Sequence, residues 1–315
     1  MNTEEVLISV IIPTYKRSDY ICRAIDSVLS QKGSFEVIVV DDNDSQSEYR
    51  KNNELILTKY ATIKNFKYLK HSKNLNGAAA RNTGIKNSRG KYITFLDDDD
   101  EFCKERIEKV SKVLVETNCD FLYTGIILKK NGYVQKRIQP LRETNNKELI
   151  YKLLCIESFF GTGSNLICKK SIIEKINGFD EGFIRNQDIE FAIRYLNECE
   201  NIKYIDEELV IKNTDSSTNM PRFEKMRQVK EKLLEKFKYI IDDYPDYKKK
   251  RVICRNLYEV YAYTTINGTS FERKEAIKLL KKHEVFSRRK VFKIFIKNKL
   301  KKFKIVVFIR KIISK

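Results

Sequence analysis

The sequence is poor in residues that mark several classes of protein. Among its 315 residues are four prolines, eleven glycines and two histidines. So few Pro and Gly residues argue against a collagen-like, linker-rich or low-complexity chain. The seven cysteines are dispersed, with no Cys-x-x-Cys pair, and together with the two histidines this argues against a structural zinc site. An odd, dispersed set of cysteines is typical of a reducing compartment.

Neither a signal peptide nor a transmembrane helix is indicated. The first residues include Glu4 and Glu5 and no basic start. No stretch approaches the roughly 18 uncharged apolar residues that a membrane-spanning helix needs. Apolar residues still make up 42% of the chain, which is enough for a sizeable core. We therefore expect a cytoplasmic protein, soluble or peripheral to a membrane, with about two domains.

The positive charge is concentrated at the C-terminal end. The net charge is +19, and residues 289–315 carry eleven Lys or Arg and no acid, which leaves +8 for the rest. On a helical wheel this segment has lysines towards one side and an imperfect apolar stripe on the other. The stripe consists of Phe292, Phe295, Ile296, Leu300, Phe303, Val306 and Val307. Such a basic amphipathic helix favours the surface of an anionic membrane.

Two other interpretations of this C-terminal segment stay open. The helix could dock on the body of the protein and leave a solvated basic face, or its basic residues could bind nucleic acid. Nucleic acid is the least favoured, because the sequence has no recognised binding motif and no base-stacking platform. We therefore expect contact with an anionic membrane surface through residues 289–315 and no nucleic-acid partner.

Short β-rich runs alternate with helical patterns through the first hundred residues. The predicted strands are Leu7–Ile12, Glu36–Val40, Phe66–Lys70 and Tyr92–Leu96, and the predicted helices are Asp19–Gln31, Glu48–Ile63 and Gly77–Asn87. This order predicts an α/β fold with a doubly wound, mostly parallel sheet. Residues 103–220 are predicted to be α+β, with a hairpin at Asn131-Gly132. From about Arg222 onward helical periodicity dominates.

Carboxylates gather where the predicted parallel strands end. Asp41-Asp42 follows the second strand, and Asp97–Asp100 follows the fourth. Open α/β sheets bind their ligands at this edge. Four consecutive carboxylates repel one another, and a divalent cation removes that cost. Oxygen ligands favour Mg²⁺ or Mn²⁺, which share their coordination with a diphosphate. The cluster therefore predicts a nucleotide-diphosphate ligand, with a solvated acidic turn as the alternative.

Five segments carry motifs that occur in a characteristic order and spacing. They are Ser9–Arg17, Val37–Ser45, Asn74–Asn82, Gly90–Asp100, and Gly178–Asp180 followed by Gln187–Phe191. Together they resemble the family 2 glycosyltransferases of the GT-A fold, over residues 7 to about 215. Each motif is weak by itself, whereas five in order are a specific signal.

The resemblance implies an inverting, metal-dependent transferase that uses a nucleotide sugar, with a UDP-sugar preferred. The nucleotide-sugar-binding residues that it implies are Pro13, Tyr15, Arg17, Asp42, Arg81, Asp97 and Asp98. Asp42 would bind the base, and Arg81 would lie by the phosphates. Asp99 would hold Mn²⁺ or Mg²⁺, which neutralises the departing diphosphate. Asp188 would be the general base that takes the proton of the hydroxyl receiving the sugar.

Each of several assignments has a structural alternative. Asp188 could instead cap the helix that follows it. Arg81 could pair with a structural carboxylate, and Tyr15 could serve packing alone. Glu190 is a weaker candidate base, because two residues along a helix it would face elsewhere. Residues 162–164, Thr-Gly-Ser, could line the cleft for the sugar-receiving substrate or form a plain turn.

The sequence departs from the family pattern at two places. Gln187 precedes Asp188 where family members more often have Glu. Many members carry a His near the metal, but residues Ile211–Thr218 contain none. We expect Asp215 to occupy that neighbourhood.

The resemblance also implies a domain organisation. A GT-A domain would cover residues 1–220, with a nucleotide-sugar-binding half at 1–102 and an acceptor half at 103–220. A helical region would cover residues 221–315. We expect transfer of a sugar to a glycan or lipid-linked acceptor in surface polysaccharide biosynthesis, at the inner face of the cell membrane. The alternative is a membrane or assembly module that keeps the fold without turnover.

Overall fold

A computed structural model of the chain describes residues 6–215 and 222–298, without the side chain of residue 267. The predicted stripe residues Leu300, Phe303, Val306 and Val307 lie outside the described residues. The chain divides into two compact units. The first is Met1–Leu153 with Ser158–Ser217, and the second is Leu154–Glu157 with Thr218–Lys315. The division of the first unit into a nucleotide half and an acceptor half stays a prediction.

The first unit is built on one mixed β-sheet flanked by helices. Its strands lie in the order β3-β2-β1-β4-β8-β6-β9-β5, and β7 pairs with β6. The strands are β1 Ile8–Thr14, β2 Phe35–Asp41, β3 Phe66–Lys70, β4 Tyr92–Phe95, β5 Glu101–Phe102, β6 Phe121–Lys130, β7 Tyr133–Ile138, β8 Ile167–Lys169 and β9 Ile202–Asn213. The predicted α/β class is confirmed.

The strands β1 to β4 form the parallel part of the sheet, as predicted. β1 pairs in parallel with both β2 and β4, and β2 pairs in parallel with β3. Every residue of β2 is buried, and of β1 only Pro13 is partly exposed. Strands buried on both faces are expected where helices cover a parallel sheet. The carboxyl ends of β1, β2 and β4 therefore meet at one edge.

The second part of the sheet is mixed. β8 runs antiparallel to both β4 and β6, whereas β9 runs parallel to β6. β9 also pairs antiparallel with β5, which immediately follows the four aspartates. The sequence analysis did not predict β9. Its pairing with β5 places the end of β9 beside the Asp97–Asp100 cluster.

Seven helices of the described chain belong to the first unit or to its boundary, and four belong to the second. The former are α1 Ile21–Leu29, α2 Glu48–Leu57, α3 Gly77–Lys86, α4 Arg106–Thr117, α5 Asn146–Leu154, α6 Lys170–Lys175 and α7 Gln187–Asn197. The latter are α8 Phe223–Lys236, α9 Lys238–Asp242, α10 Asp246–Asn267 and α11 Ser270–Lys282. The helix α1 buries Ile21, Ala24, Ile25 and Val28, its predicted apolar face.

The second unit has its own core among α8, α10 and α11. Leu257, Val260 and Leu280 are among its buried residues. Helical backbone continues over 288–298, where Val291 and Ile294 pack against this core. None of the helices in the described ranges is both long and apolar enough to cross a bilayer.

Candidate active site

The carboxyl ends of β1 and β4 bring residues 13–17 beside residues 97–99, and we call these residues the aspartate edge. Thr14 Oγ1, at the end of β1, donates a 2.8 Å hydrogen bond to Asp98 Oδ2. The backbone N–H of Lys16 donates to Asn43 Oδ1 at 2.9 Å, which ties this loop to the one after β2. The gathering of side chains at this edge follows from the parallel order of the strands.

The four consecutive aspartates alternate in exposure. Asp98 and Asp100 are buried, whereas the side chains of Asp97 and Asp99 retain 35% and 14% of their accessible surface. Burial raises the pKa of Asp98 to about 7, and Arg17 and the Thr14 hydroxyl oppose that rise. Asp97 and Asp99 are therefore the two carboxylates of the cluster that a ligand can reach.

Two arginines balance the charge of the aspartate edge. The guanidinium of Arg17 pairs with Asp99 and lies 3.3 Å from Asp98 Oδ1. On α3, Arg81 Nη2 lies 2.7 Å from Asp97 Oδ1, and Arg81 Nη1 donates to Gln187 Oε1 at 3.2 Å. Arg81 thus has both a carboxylate partner and a position between the aspartate edge and helix α7.

Pro13 and Tyr15 lie on the aspartate edge, and their proposed contact with the nucleotide stays a prediction. Pro13 is the sixth residue of β1 and is half-buried. The ring of Tyr15 is 38% exposed, and the ammonium of Lys16 lies 5.1 Å from its centroid. An exposed aromatic face beside a cation is suited to stacking. The alternative that Tyr15 serves packing alone finds little support in its exposure.

Asp42 is held differently from the aspartates of the edge. Its Oδ1 accepts from Leu75 N at 2.8 Å and lies 2.7 Å from His71 Nδ1. Its Oδ2 accepts from Asn74 Nδ2 at 2.7 Å and Asn76 N at 2.9 Å. Asp42 therefore shapes the loop before α3. Its contact with a nucleotide base stays a prediction, and a base N–H would be a third partner on an oxygen that already has two.

Asp188 lies in the first turn of α7, next to Gln187, which accepts from Arg81. Its Oδ1 accepts from the N–H of Ile189 at 3.0 Å. The residue at the capping position is Asn186, whose side chain makes no capping bond, so the Asp188 carboxylate satisfies one N–H of the first turn. Burial and the charge of Asp97 raise the pKa of Asp188, and the Arg81 guanidinium opposes the rise. A raised pKa suits a carboxylate that accepts a proton during a reaction.

Glu190 is structural, as its position two residues further along the helix predicts. It is fully buried and forms a two-point ion pair with Arg194. Arg194 also donates to the carbonyl oxygens of Ile176 and Gly178, each at 2.7 Å. Glu190 thereby fixes the loop that precedes α7, and it lies in the interior of the unit.

A turn over residues 161–164, which we call the glycine turn, joins the aspartate edge to Asp188. Thr162 Oγ1 and Ser164 Oγ donate to Asp100 Oδ2 at 3.0 and 2.7 Å, and Ser164 Oγ accepts from Asp97 N. A Cβ atom added to Gly163 would lie 3.7 Å from that of Asp188. The Thr-Gly-Ser segment therefore anchors the aspartate cluster as well as reversing the chain. Burial and Asp97 raise the pKa of Asp100 to about 7, against the Ser164 hydrogen bond.

The end of β9 was missing from the predicted site. Asn213 N donates to Asp100 Oδ1 at 3.2 Å, and Asn213 Nδ2 donates to the Asp99 carbonyl oxygen at 2.9 Å. The carboxylate of Asp215 accepts from the N–H of Asn131 in the β6-β7 hairpin, and its expected place near the metal stays a prediction. β9 ends at Asn213, and the chain then follows the hairpin. Without a prediction of β9, the only signal for this contact was the polar pair Lys212-Asn213 after the apolar residues 209–211.

The side chains of the aspartate edge fit a hard divalent cation. In the described ranges no three His, Cys, Asp or Glu side chains form a metal-binding group. Mg²⁺ and Mn²⁺ are commonly held by one or two carboxylates, with water and substrate phosphates completing the coordination. Asp99 and Asp97 supply such carboxylates, and the cationic Arg17 beside Asp99 marks a place where positive charge is favourable.

Comparison with known families decides the classification. The family model described as Glycosyl transferase family 2 matches residues 9–177, more than half of the chain. The chain belongs to glycosyl transferase family 2. This finding confirms the resemblance drawn from the five motifs. The match includes the aspartate edge and the glycine turn, and it ends before Asp188.

Curated relatives match part of the chain. The amylovoran biosynthesis glycosyltransferase AmsB of Erwinia amylovora is 31% identical over 198 residues, which are 61% of this chain and 64% of AmsB. The Escherichia coli WfgD, named UDP-Glc:alpha-D-GlcNAc-diphosphoundecaprenol beta-1,3-glucosyltransferase, is 32% identical over 148 residues, 46% of this chain and 56% of WfgD. An uncharacterized Rickettsia conorii glycosyltransferase is 44% identical over 133 residues, 41% of this chain but 21% of that protein. The matches thus span less than two thirds of these relatives.

Solved structures share the fold over nearly the whole chain. Residues 1–349 of Staphylococcus aureus TarS superpose with a TM-score of 0.62 and 19% identity, covering 93% of this chain and 89% of that one. A mannosyltransferase from Pyrobaculum calidifontis, solved with GDP-Man and Mn²⁺, gives a TM-score of 0.56 at 13% identity, covering 94% and 88%. The GT-A fold is therefore confirmed.

Proposed function

We propose that this chain transfers a sugar from a nucleotide-diphosphate sugar, preferably a UDP-sugar, to a hydroxyl group, with inversion at the anomeric carbon. The observation that carries the proposal is the position of Arg81. One guanidinium donates to Asp97 on the aspartate edge and to Gln187, the neighbour of Asp188. Arg81 therefore lies next to both the proposed site for the nucleotide sugar and the candidate base.

Asp188 supplies the general base in this proposal. Its ionised carboxylate takes the proton of the attacking hydroxyl, and the hydroxyl oxygen forms a bond to the anomeric carbon. The bond from that carbon to the diphosphate oxygen breaks on the opposite face. The nucleoside diphosphate leaves with the electron pair, so one displacement inverts the configuration without an enzyme nucleophile. General-base assistance of this kind contributes about 10²–10⁴-fold in rate.

The aspartate edge binds the nucleotide sugar in this proposal. Pro13 and Tyr15 line the nucleotide, and the partly exposed Asp97 reaches the ribose. The buried Asp98 holds Thr14 and Arg17 in place behind it. Asp42 orders the neighbouring loop or contacts the base. Arg17 and Arg81 are the cations nearest to these carboxylates. When the phosphates arrive, a guanidinium can form two charge-assisted hydrogen bonds with them. The TarS structure in complex with UDP-GlcNAc supports the fold's capacity for this ligand class.

Asp99, with Asp97 beside it, would hold Mn²⁺ or Mg²⁺. The cation supplies charge neutralisation for the departing diphosphate. Arg17 would remain near Asp98 and limit the negative charge of the edge. The manganese complex of the Pyrobaculum calidifontis mannosyltransferase supports divalent-metal use in this fold. The partial exposure of Asp99, in contrast to the buried Asp98, supports its assignment to the metal.

The sugar acceptor proposed here is a glycan or a lipid-linked intermediate of surface polysaccharide biosynthesis. WfgD is named for a diphosphoundecaprenol-linked substrate, and AmsB for amylovoran biosynthesis. A third relative, the putative teichuronic acid glycosyltransferase TuaG of Bacillus subtilis, is 34% identical over 135 residues, 41% of this chain and 50% of TuaG. These names support the chemical class and leave the sugar, the linkage and the acceptor open.

A lipid-linked acceptor calls for access to a membrane surface, and we propose cytoplasmic, peripheral binding through residues 289–315. Within the described part of this segment, Phe292 and Ile296 are exposed on the helix, next to Lys293 and Lys297. Val291 and Ile294 pack on the second unit, which fits the docked-helix alternative for that side of the helix. A helix that is docked on one side can still present apolar and basic groups to anionic lipid.

Flotation with anionic liposomes tests the membrane clause. Replacing Phe292 and Ile296 with Ser removes apolar surface that is already exposed, so the fold is expected to tolerate the change. We expect the fraction floating with phosphatidylglycerol vesicles to fall several-fold. The matched control is Tyr247→Ser, which removes an exposed aromatic side chain from α10. Equal flotation of all three proteins would contradict this clause and leave the transferase proposal unaffected.

Release of nucleoside diphosphate tests the enzymatic proposal. The purified chain is incubated with a panel of nucleotide sugars, with Mn²⁺, Mg²⁺ or chelator, and with a membrane lipid extract as acceptor source. We expect release from one sugar donor, accelerated by lipid extract and abolished by chelator. Silence across the whole panel would overturn the proposal in favour of a module without turnover.

A further inference from the structure

Lys212 is a third cation of the candidate site, and no role was predicted for it. It is the penultimate residue of β9, where its neighbour Ile211 pairs with Glu101 just after the aspartate cluster. Its side chain is half-buried. The Nζ atom donates a 3.2 Å hydrogen bond to the carbonyl oxygen of Gly161, the first residue of the glycine turn. The strand therefore brings the ammonium group to that turn.

The glycine turn that holds this ammonium also borders two carboxylates. Thr162 and Ser164 donate to Asp100, and a Cβ atom added to Gly163 would lie 3.7 Å from that of Asp188. The positive charge of Lys212 lowers the pKa of Asp100 and of Asp188, against the larger effect of their burial. Lys212 is thus close enough to both carboxylates for its charge to act on them.

The partners of Lys212 differ from those of the two arginines. Arg17 and Arg81 form ion pairs with aspartates of the edge. Across 6–215 and 222–298, Lys212 has no carboxylate oxygen within 4 Å, and its hydrogen bond is to a neutral carbonyl. An ammonium group has three N–H donors, so two remain for other partners. A half-buried cation with available N–H donors beside the aspartate edge is suited to binding an anionic group of a substrate.

We propose that Lys212 binds a phosphate oxygen of a substrate at the glycine turn. This inference rests on the proposed transferase function and adds a binding residue to it. The phosphate could belong to the nucleoside diphosphate that leaves, or to a diphosphate-linked acceptor that approaches Asp188. Both sources offer the same chemistry, a diphosphate oxygen. Lys212 would act as a point charge with one or two hydrogen bonds, and its link to Gly161 would keep it in place.

Binding measurements on charge variants test this role. Lys212→Gln removes the charge and keeps a hydrogen-bond donor for Gly161, and Lys212→Arg keeps the charge. The matched control is Lys203→Gln, an exposed lysine on the same strand. Each protein is titrated calorimetrically with UDP and with uridine. Each is then titrated, with UDP saturating, with an alkyl-diphosphate-linked and a neutral alkyl-linked N-acetylglucosamine. Thermal melts compare their folding.

We expect Lys212→Gln to lower the affinity for one diphosphate probe by about tenfold to a hundredfold, the usual range for a charge-assisted hydrogen bond. Uridine and the neutral glycoside should change less than twofold, and Lys212→Arg should recover most of the affinity. A loss for UDP identifies the leaving diphosphate, and a loss for the alkyl diphosphate alone identifies the acceptor. A role confined to supporting the turn would weaken charged and neutral probes alike.

The proposal is overturned if Lys212→Gln binds both diphosphate probes with an affinity within twofold of that of the wild-type protein. It is also overturned if the affinity for the neutral probes falls by the same factor as that for the diphosphate probes. In those cases wild-type binding of UDP leaves the transferase function standing. If the wild-type chain binds neither UDP, any other nucleoside diphosphate nor the diphosphate-linked sugar, the proposed function fails and the role of Lys212 fails with it.

Discussion

The aspartate edge and the region around the glycine turn hold their carboxylates by different means. At the aspartate edge, Asp97 and Asp99 form ion pairs with Arg81 and Arg17. At the glycine turn, Asp100 is held by two hydroxyl groups and a backbone N–H, and it has a raised pKa because it is buried. The first arrangement pairs partly exposed carboxylates with side-chain cations, which a cationic ligand can replace. The second fixes backbone geometry.

This difference indicates two functions within one site, ligand binding at the aspartate edge and structural support at the glycine turn. Charged, partly exposed carboxylates with arginine partners suit the binding of a metal-diphosphate group, which exchanges one set of charges for another. Asp188 belongs to neither arrangement, since its carboxylate is bonded to the N–H of Ile189 and is influenced by Arg81. A general base has to accept a proton, so its carboxylate should not be neutralised by a strong ion pair. Variants of each region should therefore fail in different ways.

The largest expected effect is that of Asp188→Asn. Without a carboxylate to accept the proton, we expect kcat to fall about 10³-fold while nucleotide-sugar affinity stays within a few-fold. Initial rates at saturating nucleotide sugar, with its Kd measured in parallel, check this. Glu190→Gln is the control, because it breaks a buried ion pair and should lower thermal stability. A loss of kcat in the folded fraction of Glu190→Gln as large as that of Asp188→Asn would contradict the assignment.

The next effect is that of Asp99→Asn at the aspartate edge. Removing the proposed metal ligand should lower transfer about 10²-fold, which corresponds to about 3 kcal/mol of lost stabilisation of the departing diphosphate. The variant should also lose the increase in UDP affinity that Mn²⁺ gives, measured by calorimetry with and without chelator. Glu48→Gln, on the exposed side of α2, removes the same charge elsewhere. Unchanged metal dependence in Asp99→Asn would exclude this residue as the ligand.

A smaller effect is expected from Arg81→Gln, which acts on the aspartate edge through Asp97 and on the candidate base Asp188 through its charge. The loss of its charge should reduce kcat/KM about tenfold through weaker phosphate binding. Because a base must be ionised, activity is lost as pH falls through the pKa of Asp188, which burial raises above the ordinary aspartate value. Arg81 opposes that rise, so Arg81→Gln should move the acid limb of the kcat profile to higher pH. A shift to lower pH would contradict this account.

The smallest effect is expected from Ser164→Ala in the glycine turn. The change removes a hydroxyl that donates to Asp100 and accepts from Asp97 N–H. We expect a loss of about 1–3 kcal/mol in the free energy of unfolding, since a buried carboxyl oxygen and an N–H lose a partner. Chemical denaturation measures it. Nucleotide-sugar KM should rise only several-fold. Ser45→Ala, in the loop after β2, is the comparison, and an equal effect would remove the turn's special role.

Sequence patterns predicted the aspartate edge better than the glycine turn, for a physical reason. Thr14 and Asp98 follow buried parallel strands, so strand order alone brings their loops together. The bond between Asp100 and Ser164 joins residues 64 positions apart across an antiparallel strand, and no local pattern encodes it. β9 was missed because only four of its twelve residues are fully buried and several are charged, which hides its periodicity.

Residues 289–315 show a second case in which a sequence pattern did not predict the packing. Phe292 and Ile296, which the helical wheel places on the apolar stripe, are exposed on the described helix. The wheel did not indicate that Val291 and Ile294 pack in the core of the second unit. A helix with apolar residues on two sides can serve a core and an external surface together, and the wheel alone does not say which side is buried.

The most direct test of the central claim is the anomeric configuration of the product. The proposed single displacement, with Asp188 as base and no enzyme nucleophile, predicts inversion. The transfer product is isolated after incubation with the active nucleotide sugar and its acceptor, and the anomeric proton coupling is measured by NMR. An inverted linkage, formed with one nucleoside diphosphate per sugar transferred, is the result that the account predicts. A retained configuration would contradict it.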